Sequence, residues 1–304
     1  MQSNQSQATN TLLMIRPARF GFNAETAASN AFQQKSLLDK NEIQRVALEE
    51  FDVLVKKLRS KKIYVIVLQD DGKSETPDAV FPNNWISFQE KKIILYPMMA
   101  ASRRPERKQS WIHFLKHAVI AEEVIDFSSE ENHGKFLEGT GSIVLDHKSR
   151  IAFANLSSRT NENLLKDWCM KTKFEMVVFR ASTKDGREIY HTNVMMAIGE
   201  RVAVICSEVI RDSAEKKAVL KKLSHNRRVV EITEEQMHHF CGNLLLVKNR
   251  EGKNFWVMSE SAFNSFTEEQ KQILRSDGEL LFCNLKMIET VGGGSARCMM
   301  AEIF

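Results

Sequence analysis

The chain has 304 residues, 43% of them hydrophobic and 27% charged, which is the balance of a globular protein, and its net charge of +4 is too dilute to point to nucleic acid. No apolar run approaches the ~18 residues that a membrane span needs. The five cysteines (169, 206, 241, 283 and 298) are odd in number and contain no C-x-x-C pair, which argues against a disulfide framework and a zinc site and for a reducing cytoplasm.

In chain order, the polar and uncharged "MQSNQSQATN" (1–10) reads as a disordered tail with no signal or transit character, and 11–304 as one domain. "TLLMIRP" (11–17) is a strand, "NEIQRVALEEFDVLVKKLRS" (41–60) an amphipathic helix, and "IYVIVL" (63–68) a second strand. Four segments then repeat one plan, a strand, a tight polar turn and a second strand: "NNWISFQEKKIILYPM" (84–99), "GSIVLDHKSRIAFANL" (141–156), "TNVMMAIGERVAVICS" (192–207) and "GNLLLVKNREGKNFWVMS" (242–259). Each is followed by a stretch of helical period and then a short β-branched run, as in "NENLLKDWCMKT" and "EMVVF".

The closing "RCMMAEIF" (297–304) is a fifth such unit with a single strand, and "TLLMIRP" has the composition to supply the other. The repeat is β-β-α-β, five times, and its completion by the opposite terminus predicts a closed ring without exposed edges. Basic clusters such as "SRRPERK" (102–108) and "AEKKAVLKKLSHNRR" (214–228) read as solvated helix faces. His238 and His239 are adjacent but have no partner at metal-ligand spacing, so no metal and no cofactor are expected.

In such a ring, the residues heading each first strand share a common centre: Asn84, Gly141 with Glu138 before it, His191 with Asn193, Asn243, and Cys298. A thiol near an imidazole that is itself near a carboxylate is the arrangement that activates cysteine as a nucleophile. Cys298, His191 and Glu138 are therefore the candidate catalytic residues, and the glycines of "VGGGSAR" allow backbone to approach a ligand. Taken singly, each also has a bland reading: a core cysteine, a capping histidine, a turn carboxylate. The other four cysteines fall within helix or strand patterns and are assigned to the core.

The segments "PDAVFPNNWIS", "LEGTGSIVLDHKSRIAFANLSSRTN", "YHTNVMMAIG" and "GGGSARCMM" resemble, in order, the guanidine-modifying enzyme superfamily of arginine deiminases, dimethylarginine dimethylaminohydrolases and amidinotransferases. Within it, the chain is most similar to the citrulline utilization hydrolase branch. The resemblance implies a five-bladed α/β propeller, with Cys298 as nucleophile, His191 as general acid and base, and Glu138 as its partner. It also implies that Arg159 of "SSRTN" takes the substrate's α-carboxylate, with Arg103 or Arg104 assisting, and that Asp78 lines the amino-acid end of the pocket.

The departures from the family pattern are Asn84, with Asn83 beside it, and Asn193, where relatives that clasp a guanidinium usually carry carboxylates. A carboxylate only accepts hydrogen bonds, whereas an amide also donates, as a ureido group requires. The expectation is a hydrolase converting L-citrulline to ornithine, carbon dioxide and ammonia through an S-carbamoyl-cysteine intermediate. The alternatives are hydrolysis of arginine, dimethylarginine or N-succinylarginine, amidino transfer, and a catalytically silent amino-acid-binding module. A small amino acid is the expected partner, rather than nucleic acid or membrane, and assembly with copies of itself is compatible with the reading.

Overall fold

The computed structural model describes residues 6–304, and within them fifteen strands form five separate mixed sheets of three strands each. The first joins β1 (Thr11–Arg16) to β2 (Tyr64–Gln69) in parallel and to β15 (Ala301–Ile303) in antiparallel register, with Leu12 opposite Glu302. The next two are β3–β5 (Ile86–Gln89, Lys92–Leu95, Glu123–Asp126) and β6–β8 (Val144–Asp146, Ile151–Asn155, Glu175–Phe179). The last two are β9–β11 (Met196–Ile198, Val202–Ile205, Arg228–Glu231) and β12–β14 (Leu245–Lys248, Asn254–Ser259, Glu279–Cys283). In each of these four an antiparallel hairpin is extended by a parallel third strand after a helix, so the sequence repeat is a structural repeat.

Burial separates the strands by rank. The first strands β3, β6 and β9 are buried at every position, so they carry no alternation, whereas the third strands β2, β8 and β11 are partly exposed. Helices cover the outer strands. The helix Lys40–Ser60 starts at Asp39, whose carboxylate accepts from the Asn41 and Glu42 amides, and it buries Ile43, Ala47, Phe51, Leu54, Val55 and Leu58 at spacings of three and four. Truncating the fully buried Leu54 to alanine would cost about 2–5 kcal/mol.

Two expectations need correcting. Residues 1–5 of the supposed disordered tail lie outside the described residues, but Gln7, Ala8 and Thr9 are buried. The Gln7 side chain donates to the carbonyls of Leu145 (2.8 Å) and Ile198 (3.3 Å) and accepts from the His147 amide (2.9 Å). A polar side chain thus stays ordered because it satisfies backbone groups left at strand ends. The basic clusters, likewise, are not wholly solvated. Arg103 is buried against Glu106, and Arg227 against both carboxylate oxygens of Asp146 (2.5 and 2.8 Å). No helix among the described residues is long and apolar enough to cross a membrane.

Candidate active site

Short helical turns precede the first strands and carry their polar heads: Pro82–Asn84, Gly139–Ser142, Thr192–Val194 and Ala296–Met299. These turns touch one another, the Pro82–Asn84 turn meeting both Gly139–Ser142 and Ala296–Met299. The contact is close enough to dictate sequence. Any side chain at position 141 would place its Cβ 2.5 Å from Asn84 Nδ2 and 2.8 Å from His191 Nδ1, so glycine is required there. Gly293, at φ +66°, occupies the left-handed region, and its carbonyl accepts from the Tyr190 hydroxyl at 3.0 Å.

His191 Nε2 lies 2.8 Å from Glu138 Oε2, both side chains being buried. Glu138 Oε1 accepts from the Met99 amide (3.0 Å), and Oε2 also receives Arg159 Nη1 (3.4 Å). Burial by itself would raise the Glu138 carboxyl, but Arg159, His191 and Arg103 outweigh it and hold it well below the usual carboxylate range. An ionised carboxylate only accepts, so Nε2 carries the imidazole proton and Nδ1 is left as the basic nitrogen. Burial lowers His191 to about 4 against the pull of Glu138, so the imidazole is neutral at pH 7.

Cys298 is buried in the same pocket, which Asp78, Asn84, Arg103, Arg159, Tyr190 and His191 also line. Its cavity is about 20 Å³. Arg159, from the loop before the helix Glu162–Thr172, donates to Ser29 Oγ (2.6 Å) and the Thr26 carbonyl (3.1 Å), with its guanidinium stacked 4.7 Å from the Tyr190 ring centre. Arg103 donates to Glu106 (2.9 Å), to the Phe81 carbonyl (3.0 Å) and to Asn84 Oδ1 (2.6 Å).

That last bond decides how the Asn84 amide faces. Only Oδ1 can accept from the guanidinium, so Nδ2 is the free end, and it is buried without a hydrogen-bond partner. Asp78 Oδ2 accepts from Asn23 Nδ2 (2.7 Å) while Oδ1 has no partner. Burial pushes the Asp78 carboxyl up, only partly offset by Arg103 and its neighbours.

Of the residues singled out from sequence, Cys298, His191, Asn84, Asp78 and Arg159 border one pocket, and Glu138 stands behind His191. Asn83 points elsewhere, its Nδ2 toward Thr140 Oγ1 (3.4 Å), and Asn193 lies against the sulfur rather than on the pocket wall. Between the two arginines left open, Arg103 faces the pocket, whereas Arg104 pairs at the periphery with Glu131 (3.3 Å). Tyr190, Thr26 and Asn30 also line the pocket and were not anticipated; the adjacency of Tyr190 to His191 was the one available signal. Cys169, Cys206 and Cys283 are buried away from it, and burial pushes each up to about 12.

The matching family model places this chain among hydrolases acting on carbon–nitrogen bonds other than peptide bonds. The chain belongs to the family described as N,N dimethylarginine dimethylhydrolase, eukaryotic, whose model matches residues 16–304. No curated protein matches it in sequence. Among solved structures, it is similar to ArgZ, an arginine dihydrolase from the ornithine-ammonia cycle in cyanobacteria, with a TM-score of 0.75 and 15% identity over 96% of this chain. This chain spans 40% of the length of that ArgZ chain.

The N-terminal domain of ArgZ, covalently bound to a reaction intermediate, matches over 97% of both chains at a TM-score of 0.75 and 14% identity. An adduct of a dimethylarginine dimethylaminohydrolase histidine-to-glycine variant with S-methyl-L-thiocitrulline matches over 96% of this chain and 98% of its own, with a TM-score of 0.67 and 15% identity. The shared fold is thus that of enzymes acting on arginine and guanidino compounds.

Proposed function

We propose that this protein is a cysteine-dependent hydrolase of a ureido amino acid, most simply L-citrulline, with the five sheets as the blades of a pseudo-symmetric propeller around the site. The single observation that carries the substrate is the orientation of Asn84. With Oδ1 taken by Arg103, the group it offers is an N–H donor beside His191. A ureido oxygen accepts from that donor. A guanidinium has only donors to bring against it, and a lost charge-assisted bond is worth ~1.5–3 kcal/mol. Asp78, with an unpaired carboxylate oxygen, suits the α-amino group, and Arg159 suits the α-carboxylate once it exchanges Ser29 for it.

In this reading Cys298 Sγ attacks the ureido carbon while its proton passes to His191 Nδ1. The carbon–NH2 bond breaks, the leaving nitrogen takes that proton, and ammonia departs from an S-carbamoyl-cysteine. Water then gives a proton to His191 and its oxygen to the carbon, the carbon–sulfur bond breaks, His191 returns the proton to the Cys298 sulfur, and the N-carboxy product loses carbon dioxide to leave ornithine. Glu138 holds the ring so that Nδ1 faces the pocket throughout. A cavity of about 20 Å³ holds about one water, so the substrate must displace a wall of it, either Thr26 and Asn30 or Gly292–Gly294.

A second reading, hydrolysis of arginine or a methylated or succinylated derivative, is favoured by the family match and by the arginine dihydrolases among the structural neighbours. Incubation with citrulline, arginine, dimethylarginine and N-succinylarginine, with assay of ammonia, ornithine and citrulline, separates the two. Ornithine released from citrulline and lost in Cys298→Ser is the expected result. Turnover of a guanidino substrate with none of citrulline would overturn the citrulline assignment. Activity that survives Cys298→Ser would remove the nucleophile.

A further inference from the structure

The sulfur of Cys298 is held by amides rather than by the imidazole. Asn243 Nδ2 lies 3.2 Å from Sγ and Asn193 Nδ2 lies 3.5 Å away, both at distances for donation to sulfur, and the two Oδ1 atoms stand farther off, at 3.7 and 3.9 Å, where a neutral thiol can donate to them. The Asn243 amide has no freedom to turn round. Its Oδ1 accepts from the Arg297 backbone N–H at 3.1 Å, a group that can only donate, so the NH2 end must face the sulfur. The same NH2 donates to the Asn193 carbonyl at 2.9 Å, which ties the turn carrying His191 and Asn193 to the turn carrying Cys298. Asn243 is wholly buried, and each polar atom of its side chain is used in these contacts.

A fixed N–H donor binds an anionic sulfur much more strongly than a neutral thiol, because a charged acceptor roughly doubles the bond. The other polar groups around the sulfur do not supply this. His191 and Tyr190 share the pocket with it but make no hydrogen bond to it, and Asp78 is an acid. Arg103 and Arg159 line the same pocket with their guanidinium groups engaged elsewhere. Arg297, next in the chain, sends its guanidinium away to the Met300 carbonyl and Glu302, both at 2.8 Å.

We infer that Asn243 is a positioning residue that orients Cys298 and stabilises the thiolate formed as its proton leaves for His191, with Asn193 as the second donor. This rests on the reading of Cys298 as the nucleophile, and it assigns to a fixed amide the activation that a neutral His191 does not provide in the resting enzyme. The assignment is independent of which substrate is turned over.

The test is the ultraviolet absorbance of the thiolate followed against pH, with Cys298→Ser as the blank, on full-length protein. Asn243→Asp keeps the shape and the acceptor for Arg297 but sets a carboxylate oxygen against the sulfur. Its thiol titration is expected to move up by about one pH unit or more, and kcat near neutral pH to fall about tenfold per unit, with KM within about twofold. Asn243→Ser, which lacks the reach to the sulfur, is expected to shift in the same direction by less and covers the case in which the aspartate variant fails to fold. A titration unmoved or lowered in either folded variant, whatever happens to kcat, would overturn the inference, because looser packing around a buried thiol admits water and lowers its titration rather than raising it. The titration needs no substrate, so absence of citrulline turnover would sink the proposed function and leave this result standing.

Discussion

Two buried polar networks lie at opposite ends of strand β6, and they differ in what they leave undone. At its far end, Asp146 gives both carboxylate oxygens to Arg227 and Gln7 fills the space between strand ends, so the charges are paired and His147 Nδ1 is the polar atom there left without a partner among the described residues. At its near end, beyond the Gly139–Ser142 turn, Glu138, His191, Arg159 and Arg103 are equally buried, but Asn84 Nδ2 and Asp78 Oδ1 are left without partners. Burying an unpaired polar group costs about 1–3 kcal/mol, and a fold does not carry two such groups on one pocket without return. The closed network reads as structure and the open one as a site prepared for a ligand.

The largest expected effect comes from breaking the closed network. Asp146→Ala strands Arg227 in the interior and should cost about 3–5 kcal/mol of stability, read as a lower denaturant midpoint, with KM for the substrate unchanged. A fall in substrate affinity without a loss of stability would reverse the distinction between the two networks.

Asn84→Asp should act the other way round. Arg103 keeps an acceptor, so stability holds, but the donor is gone, and kcat/KM for citrulline should fall by about 1.5–3 kcal/mol relative to that for arginine. Steady-state kinetics on both substrates decides it. An unchanged ratio would mean that the amide donor does not read the substrate.

The smallest effect at neutral pH is a pH dependence of stability that emerges only in acid. His147, at the closed end and stacked against Phe304, is lowered by burial to about 3 from an ordinary 6.5. Between those two values the unfolded chain binds a proton that the native fold refuses, so His147 makes stability fall as pH drops from about 6.5 toward 3 and has no effect above that window. Denaturation midpoints measured across the window should fall less steeply in His147→Gln than in the parent. Equal slopes would show that other groups carry the acid sensitivity.

Much of the architecture was legible in the sequence because it depends on local periodicity. Hairpin turns such as "DHKS" and "NREGK", the amphipathic stretch at 41–60 and the β-branched runs each declare themselves within a dozen residues or so, and the pairing of β1 with β15 followed from one unit being short by a strand. The heads Asn84, His191 and Cys298 were visible as polar residues recurring at the same point of each unit. Arg103 entered only through the family resemblance and could not be told from Arg104, because a basic residue in "SRRPERK" resembles a solvated one until Glu106 and the turn Ala101–Glu106 direct it inward. Gln7 was missed for the same reason, since its partners lie 138 and 191 residues away.

The sequence by itself therefore determined the repeat and the identity of the polar heads, while the close contacts that require glycine at position 141 belong to the fold. Only the tertiary structure decided which way the amides turn. Asn84 and Asn243 are each ambivalent as residues, donor and acceptor at once, and a distant partner (Arg103 for one, the Arg297 backbone for the other) takes the acceptor and leaves the donor to the site. Composition fixes what a side chain can do, but the orientation of a planar amide is set by whichever fixed donor reaches it first, and that is a property of the fold.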